Sequence, residues 1–204
     1  MLTQTNKDYL GGEKIFYLSL LFKSRITRSI FDLMESEFKD FKRFETSGGH
    51  SSLLAIIDNL NLEKNDVVLL PSYICASVLK SFQFRGVKIN FYSVNEDLSI
   101  DVASILIEKN IRAILFIDYM GKSPEDDLLE FISMLKQKSI TVIQDAVHSV
   151  LLTKDQVYGD FVYNSFRKMT PLEGSFILTK RKMSIQYNNQ NNRKFILYKR
   201  VGQL

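Results

Sequence analysis

Cysteine is nearly missing from this chain: Cys75 stands alone among 204 residues, which excludes an internal disulfide. Histidine is almost as scarce. With only His50 and His148 available, a Cys/His zinc site lacks ligands, and no metal centre is expected. Long apolar runs are missing too. The longest near the start, Ile15 to Phe22, falls well short of the ~20 residues a spanning helix needs. Lys7, Asp8, Glu13 and Lys14 precede it, and no small cleavage residues follow, so it does not have the order of a secretory leader. A cytoplasmic location without membrane contact is the expectation. Finally, residues 181–204 contain no acid. Arg181, Lys182, Arg193, Lys194, Lys199 and Arg200 supply +6 there, against +4 for the whole chain, which leaves −2 for the rest. The positive charge therefore collects around a polar run, Gln186 to Arg193, that buries too little apolar surface to order itself. It reads as a solvated end, and no nucleic-acid partner is expected.

What the chain does have is enough apolar material for one sizeable core, with 45% hydrophobic and 25% charged residues. From about residue 50 onward, helix and strand patterns alternate. Strands are expected at Asp66–Pro71, Lys88–Val94, Ala113–Asp118 and Ile140–Gln144, and a strand, turn and strand within Phe161–Thr179, punctuated by Pro171 and Gly174. Helices are expected at Ile26–Phe41, through Leu53 to Leu60, and near 75–84, 101–109 and 124–137. The last has Pro124 and three acids where a helix start favours them. This rhythm implies an α/β fold: three layers, with a mostly parallel mixed sheet flanked by helices. The chain divides into an N-terminal arm and helix (1–45), a large domain (46–180) and a basic polar tail (181–204).

In such a sheet a ligand sits beyond the carboxyl ends of the strands, and four stretches there carry chemistry. Gly48 and Gly49, before His50, leave backbone N–H groups that can cradle a phosphate at a helix start, although a tight connection uses the same pair. Tyr73 and Cys75 follow the strand ending at Pro71; either can cover a ring or simply pack. Asp145 closes a buried strand, where an ionised carboxylate needs a cationic partner such as a pyridinium N–H, with His148 three residues on. A helix cap for Asp145 and a satisfied imidazole for His148 are the plain alternatives. Ser165 and Lys168 then offer a hydroxyl and an amine on one turn, where Arg167-Lys168 otherwise reads as a solvated pair.

Taken in order, several short motifs resemble one family. They are Gly11-Gly-x-x-x-Phe-Tyr-Leu18, Thr46-Ser-Gly-Gly49, Leu69-Leu-Pro-Ser-Tyr-Ile-Cys75, Asp118-Tyr-Met-Gly121, Gln144-Asp-Ala-Val-His148 and Ser165-Phe-Arg-Lys-x-x-Pro-x-x-Gly-Ser175. Over about residues 10–180 they are similar to the DegT/DnrJ sugar aminotransferases, which are fold-type-I pyridoxal-phosphate enzymes. The nearest likeness is to a branch whose lysine sits in a Ser-x-Arg-Lys turn. The resemblance implies pyridoxal 5'-phosphate as cofactor, an amino donor such as glutamate, a keto-sugar nucleotide as acceptor, and a homodimer. It implies Lys168 as the Schiff-base lysine and Asp145 as the partner of the ring nitrogen. His148 stands where the family usually has a glutamine contacting the ring oxygen. Ser165 and the backbone of Gly49 and His50 match phosphate-binding positions, and Tyr73 to Cys75 match the ring cover. Spacing back from Glu173-Gly174 favours Arg167 at the lysine position, and spacing forward from Ser165 favours Thr170; Lys168 is preferred as the suitable amine. Family members continue into a small domain that closes over the substrate. A catalytically silent cofactor-binding remnant, or a partner subunit, is the alternative reading.

Overall fold

The computed structural model describes residues 37–149, 152–168 and 174–183. Residues 26–36 of the expected helix at Ile26–Phe41, the glycine pair at Gly11-Gly12, Thr170, Pro171 and most of the basic tail lie outside these, and residues 38–41 at the end of that expected helix are turn and bend. One seven-stranded sheet organises the rest. Its strands are β1 (Lys42–Thr46), β2 (Val67–Pro71), β3 (Lys88–Tyr92), β4 (Ile111–Ile117), β5 (Thr141–Asp145), β6 (Phe161–Tyr163) and β7 (Ser175–Thr179). Their spatial order is β1-β7-β6-β5-β4-β2-β3. Every pair from β3 across to β6 is parallel, whereas β7 runs antiparallel to both β6 and β1.

Helices α1 (Gly49–Asn59), α2 (Ala76–Phe84) and α3 (Asp126–Gln137) make the outer layers. Leu53, Ile56 and Ile57 of α1 and Phe82 of α2 pack on Val68, Leu115, Ile143 and Tyr163 from one sheet face. On the other face, Leu128, Ile132 and Leu135 of α3 cover Leu69, Ile114, Phe116 and Val142. Strands buried on both faces read as continuous apolar runs, and β2 is buried at all five positions. α3 begins as its acids imply, with Glu125 at the cap and Asp126 and Asp127 in its first turn, where the helix dipole favours negative charge.

Two segments depart from the sequence pattern. The expected helix over 101–109 is a single 3-10 turn, Val102–Ser104, followed by extended chain. Ile105 is buried and Ile107 partly so, while Leu106 between them is exposed. That is a period of two, laid against the α3 side of the core, where a helix would need a period of 3.6. The sheet also begins earlier than the division at residue 46, because β1 pairs along its whole length with β7. At the far end Arg181, counted with the tail, is paired with Asp160 at 3.0 Å and donates to Thr141 Oγ1 at 3.0 Å.

Candidate functional site

Because β2, β4, β5 and β6 are parallel, their carboxyl ends lie along one edge of the sheet, and Pro71, Ile117, Asp145 and Tyr163 are their last residues. Asp145 is 1% exposed. One carboxyl oxygen accepts the Val147 N–H at 3.1 Å, and the other accepts the Tyr163 hydroxyl. Both donors are neutral. Burial pushes the Asp145 carboxyl up to about 7 despite them, the negative charge of Asp118 adds to the rise, and Lys168 opposes it. Asp145 is thus a buried acid that a cation placed against it would stabilise in its ionised form.

The amine that acts on it is Lys168, exposed at the end of the 3-10 turn Phe166–Lys168, whose backbone N–H returns to Ser165 O at 3.2 Å. Its charge acts on three groups that follow two different strands, β5 and β2. It favours ionisation of Asp145, disfavours protonation of His148, and favours the thiolate of Cys75.

His148 is half-buried, and burial holds its imidazole below the ordinary value, with Lys168 adding to the effect. The ring is neutral at pH 7. Its Nδ1 accepts the Met120 N–H at 3.3 Å, which puts the ring proton on Nε2 and makes that atom a donor. Cys75, the N-cap of α2, has an exposed thiol 3.1 Å from the Ser77 hydroxyl. That hydrogen bond, then the Ser77 N–H, and then Lys168, hold the thiol below its ordinary range. Tyr73 is 64% exposed, its ring 5.8 Å from that of Tyr119 and its carbonyl accepting the Tyr119 hydroxyl.

The glycine pair opens α1, with Gly48 as cap and no side chain satisfying the first-turn N–H groups. The two glycines are not equivalent. A Cβ on Gly48 meets nothing within 4 Å, whereas one on Gly49 comes 3.2 Å from Asn164 O, 3.4 Å from Ser165 Cβ and 3.6 Å from Val147. The helix start is therefore pressed against the residues that follow β5 and β6. Ser165 is 8% exposed, and among the described residues its hydroxyl has no hydrogen-bond partner. The His50 imidazole turns away to α2, its Nδ1 2.8 Å from Ser81 Oγ, so only its backbone N–H belongs to the helix start.

The structure thus brings Gly49, His50 (by its backbone), Asp145, His148, Ser165 and Lys168 to one end of the sheet, with Tyr73 and Cys75 beside them. Three contributors escape a reading of the sequence. Tyr163 ends β6 two residues before Ser165 and binds Asp145 directly. Tyr119 supports Tyr73, and Met120 supplies the N–H that orients His148. Tyr119 and Met120 stood within the motif Asp118-Tyr-Met-Gly121 without a role of their own. Among the described residues, no three or more His, Cys, Asp or Glu side chains gather to hold a metal, and no helix is long and apolar enough to cross a membrane.

Sheet order, helix layers and this strand-end cluster define the large-domain fold of fold-type-I pyridoxal-phosphate-dependent transferases. The chain belongs to the DegT/DnrJ/EryC1/StrS aminotransferase family, whose model matches residues 32–182. Among solved structures it is similar to the aminotransferase TlmJ from Streptoalloteichus hindustanus, with TM-score 0.66 and 15% identity over 85% of this chain and 53% of that one. It is similar also to Helicobacter pylori PseC, an aminotransferase involved in the biosynthesis of pseudoaminic acid (TM-score 0.64, 20% identity, 87% of this chain and 47% of that one). A third is GDP-4-keto-6-deoxymannose-3-dehydratase with a trapped PLP-glutamate geminal diamine (TM-score 0.67, 18% identity, 85% and 51%). The chain spans about half the length of these proteins.

Proposed function

We propose that this chain holds pyridoxal 5'-phosphate at the strand-end cluster, as the large domain of an aminotransferase, which runs from β1 at Lys42 past residue 180. The amino group passes from a donor such as glutamate to a keto-sugar nucleotide, in the cytoplasm. The observation that carries this reading is geometric: Asp145, buried at the end of β5 with only neutral donors, shares one sheet edge with the glycine-opened start of α1, packed against Ser165, and with the turn that carries Lys168.

The residues suit the group at each of its polar points. The first N–H groups of α1, from Gly49 and His50, with the free hydroxyl of Ser165, suit a phosphate dianion. The Asp145 carboxylate accepts a ring N–H and holds its proton in place. His148 donates from Nε2 to the ring oxygen, doing with a neutral imidazole what an amide side chain does. Tyr73, braced by Tyr119, covers the ring face with Cys75 at its margin. Lys168 Nζ is the amine that would hold the cofactor and, once free, would carry the proton at the donor's α-carbon. When bound, the cofactor supplies an electron sink for the bond being broken. The exposed Tyr73 and Met120, 64% and 76%, flank this opening as apolar surface and support a homodimer that covers it.

The test is the visible spectrum of the purified chain with added pyridoxal phosphate, followed by borohydride reduction and peptide mapping. Reduction is expected to fix the cofactor at Lys168; modification at any other lysine, or none, overturns the site. Adding glutamate then separates turnover from binding. Conversion to the pyridoxamine form supports an aminotransferase, and bound cofactor without conversion supports the silent cofactor-binding protein.

A further inference from the structure

A second buried acid lies on the opposite face of the sheet from Asp145, and the cofactor reading gives it no role. Asp118 directly follows β4, is 6% exposed, and its backbone N–H donates to the Asp145 carbonyl at 3.0 Å. Side chains alternate across a strand, so Gln144 points to the face opposite Asp145, and there its Nε2 donates to Asp118 Oδ2 at 2.8 Å. Tyr158 donates its hydroxyl to Asp118 Oδ1 at 2.5 Å. The orientation of Gln144 is forced. Its Oε1 accepts the N–H groups of Tyr158 and Gly159, each at 3.1 Å, and its Nε2 also reaches Gln156 O at 2.9 Å. All four polar positions of that amide are used, so the side facing Asp118 can only donate, and Asp118 must accept.

We propose that Asp118 is a positioning residue for Asp145. Clamped by Gln144 and Tyr158, it ties the ends of β4 and β5 together and keeps a negative charge behind the acid that faces the ring nitrogen. This role rests on the cofactor reading for its purpose, though not for its test. Two carboxylates at neighbouring strand ends disfavour each other's ionisation, and a cation in front of Asp145 is welcomed by both. Burial pushes Asp118 up to about 6, with Gln144 and Tyr158 opposing, and its negative charge raises Asp145. The other groups that face Asp145 are Tyr163 and Tyr119, whose hydroxyls stay protonated, and Lys168, which pulls in the opposite direction; the Tyr158 hydroxyl, also protonated, lies on the far face against Asp118. Lys122, Glu125 and Asp127 line the cleft that opens beside Asp118.

The experiment is a carbon-13 NMR titration of the Asp145 carboxyl in the full chain without cofactor, comparing wild type with Asp118→Asn and Tyr158→Phe. The asparagine of the first variant fits the clamp, its amide oxygen facing Gln144 and its nitrogen donating to Tyr158. With the rear charge gone, the Asp145 midpoint is expected to move to lower pH. Tyr158→Phe removes a donor from Asp118, which then keeps its proton to higher pH, so Asp145 again titrates lower while Asp118 titrates higher. An Asp145 midpoint unchanged in whichever variant folds overturns the proposal, even when thermal stability falls, since a purely structural clamp predicts that pattern. A second readout uses pyridoxal phosphate labelled with nitrogen-15: in Asp118→Asn the ring nitrogen should lose its proton at lower pH than in wild type. Failure of the wild-type chain to take up that cofactor sinks the functional reading and leaves the carboxyl titration to decide the role of Asp118.

Discussion

At the scale of single residues, the site is organised around one amine. Lys168 and Arg167 are adjacent and both exposed, and the lysine charge is felt at Asp145, His148 and Cys75. The thiol gives an independent check on this arrangement, because the nucleophile is the thiolate and its fraction can be read from alkylation rates. Lys168→Met is expected to shift the pH profile of Cys75 alkylation by iodoacetamide to higher pH. Ser77→Ala is expected to shift it further, since the Ser77 hydroxyl is the larger influence on the thiol. A profile unmoved by Lys168→Met would mean that the amine does not face the thiol, and would remove much of the case for a shared cleft. Lys168 and Asp145 were both visible as residue types in suitable local settings. Tyr163 was not, because nothing local marks a strand-end tyrosine as the donor to an acid on the neighbouring strand.

At the scale of elements, close approach decides which glycines matter. Gly159 lies where the chain after β5 turns back into β6, and a Cβ there would stand 2.8 Å from both Gln144 Cβ and Phe161 O. Gly159→Ala is therefore expected to cost about 1–3 kcal/mol, as overpacking does, and to disturb the clamp that Gln144 makes on Asp118. Gly48→Ala, with open space around it, is expected to stay below about 1 kcal/mol, the small difference between glycine and alanine at a helix cap. Urea unfolding of the two variants beside wild type measures this contrast; equal losses would show that the turn at Gly159 relaxes freely. The sequence marked both positions as glycine but offered no ranking, since the Gln144 atoms that crowd Gly159 come from another strand.

At the scale of the whole molecule, the two buried acids make stability depend on pH and on ligand together. Asp145 and Asp118 are raised from 3.8 to about 7 and about 6, chiefly by burial. Between about pH 4 and 7 the folded chain therefore binds more protons than the unfolded one, and stability falls as pH rises through that window. Thermal unfolding of the cofactor-free chain should show a lower midpoint at about pH 8 than at about pH 5.5, and Asp145→Asn should flatten the dependence. A wild-type midpoint that rises over this range would contradict the burial of a protonated Asp145. Bound pyridoxal phosphate is expected to reverse the trend at Asp145 by supplying the missing cation. The order of helices and parallel strands, the acid at the end of β5 and the glycine pair before α1 were all legible, because each depends on neighbours within a few residues: apolar runs, breakers and helix-start chemistry. Three things were beyond local reading. β1, Lys42–Thr46, is a charged edge strand whose partner β7, Ser175–Thr179, comes from the other end of the described chain. Residues 105–107 are extended because α3 and the sheet leave them a groove with a two-residue period. And the strand-end cluster, in which Asp145 is backed by Asp118 and feels the charge of Lys168, exists only because parallel crossovers bring distant strand ends to one edge, where burial and charge set each other.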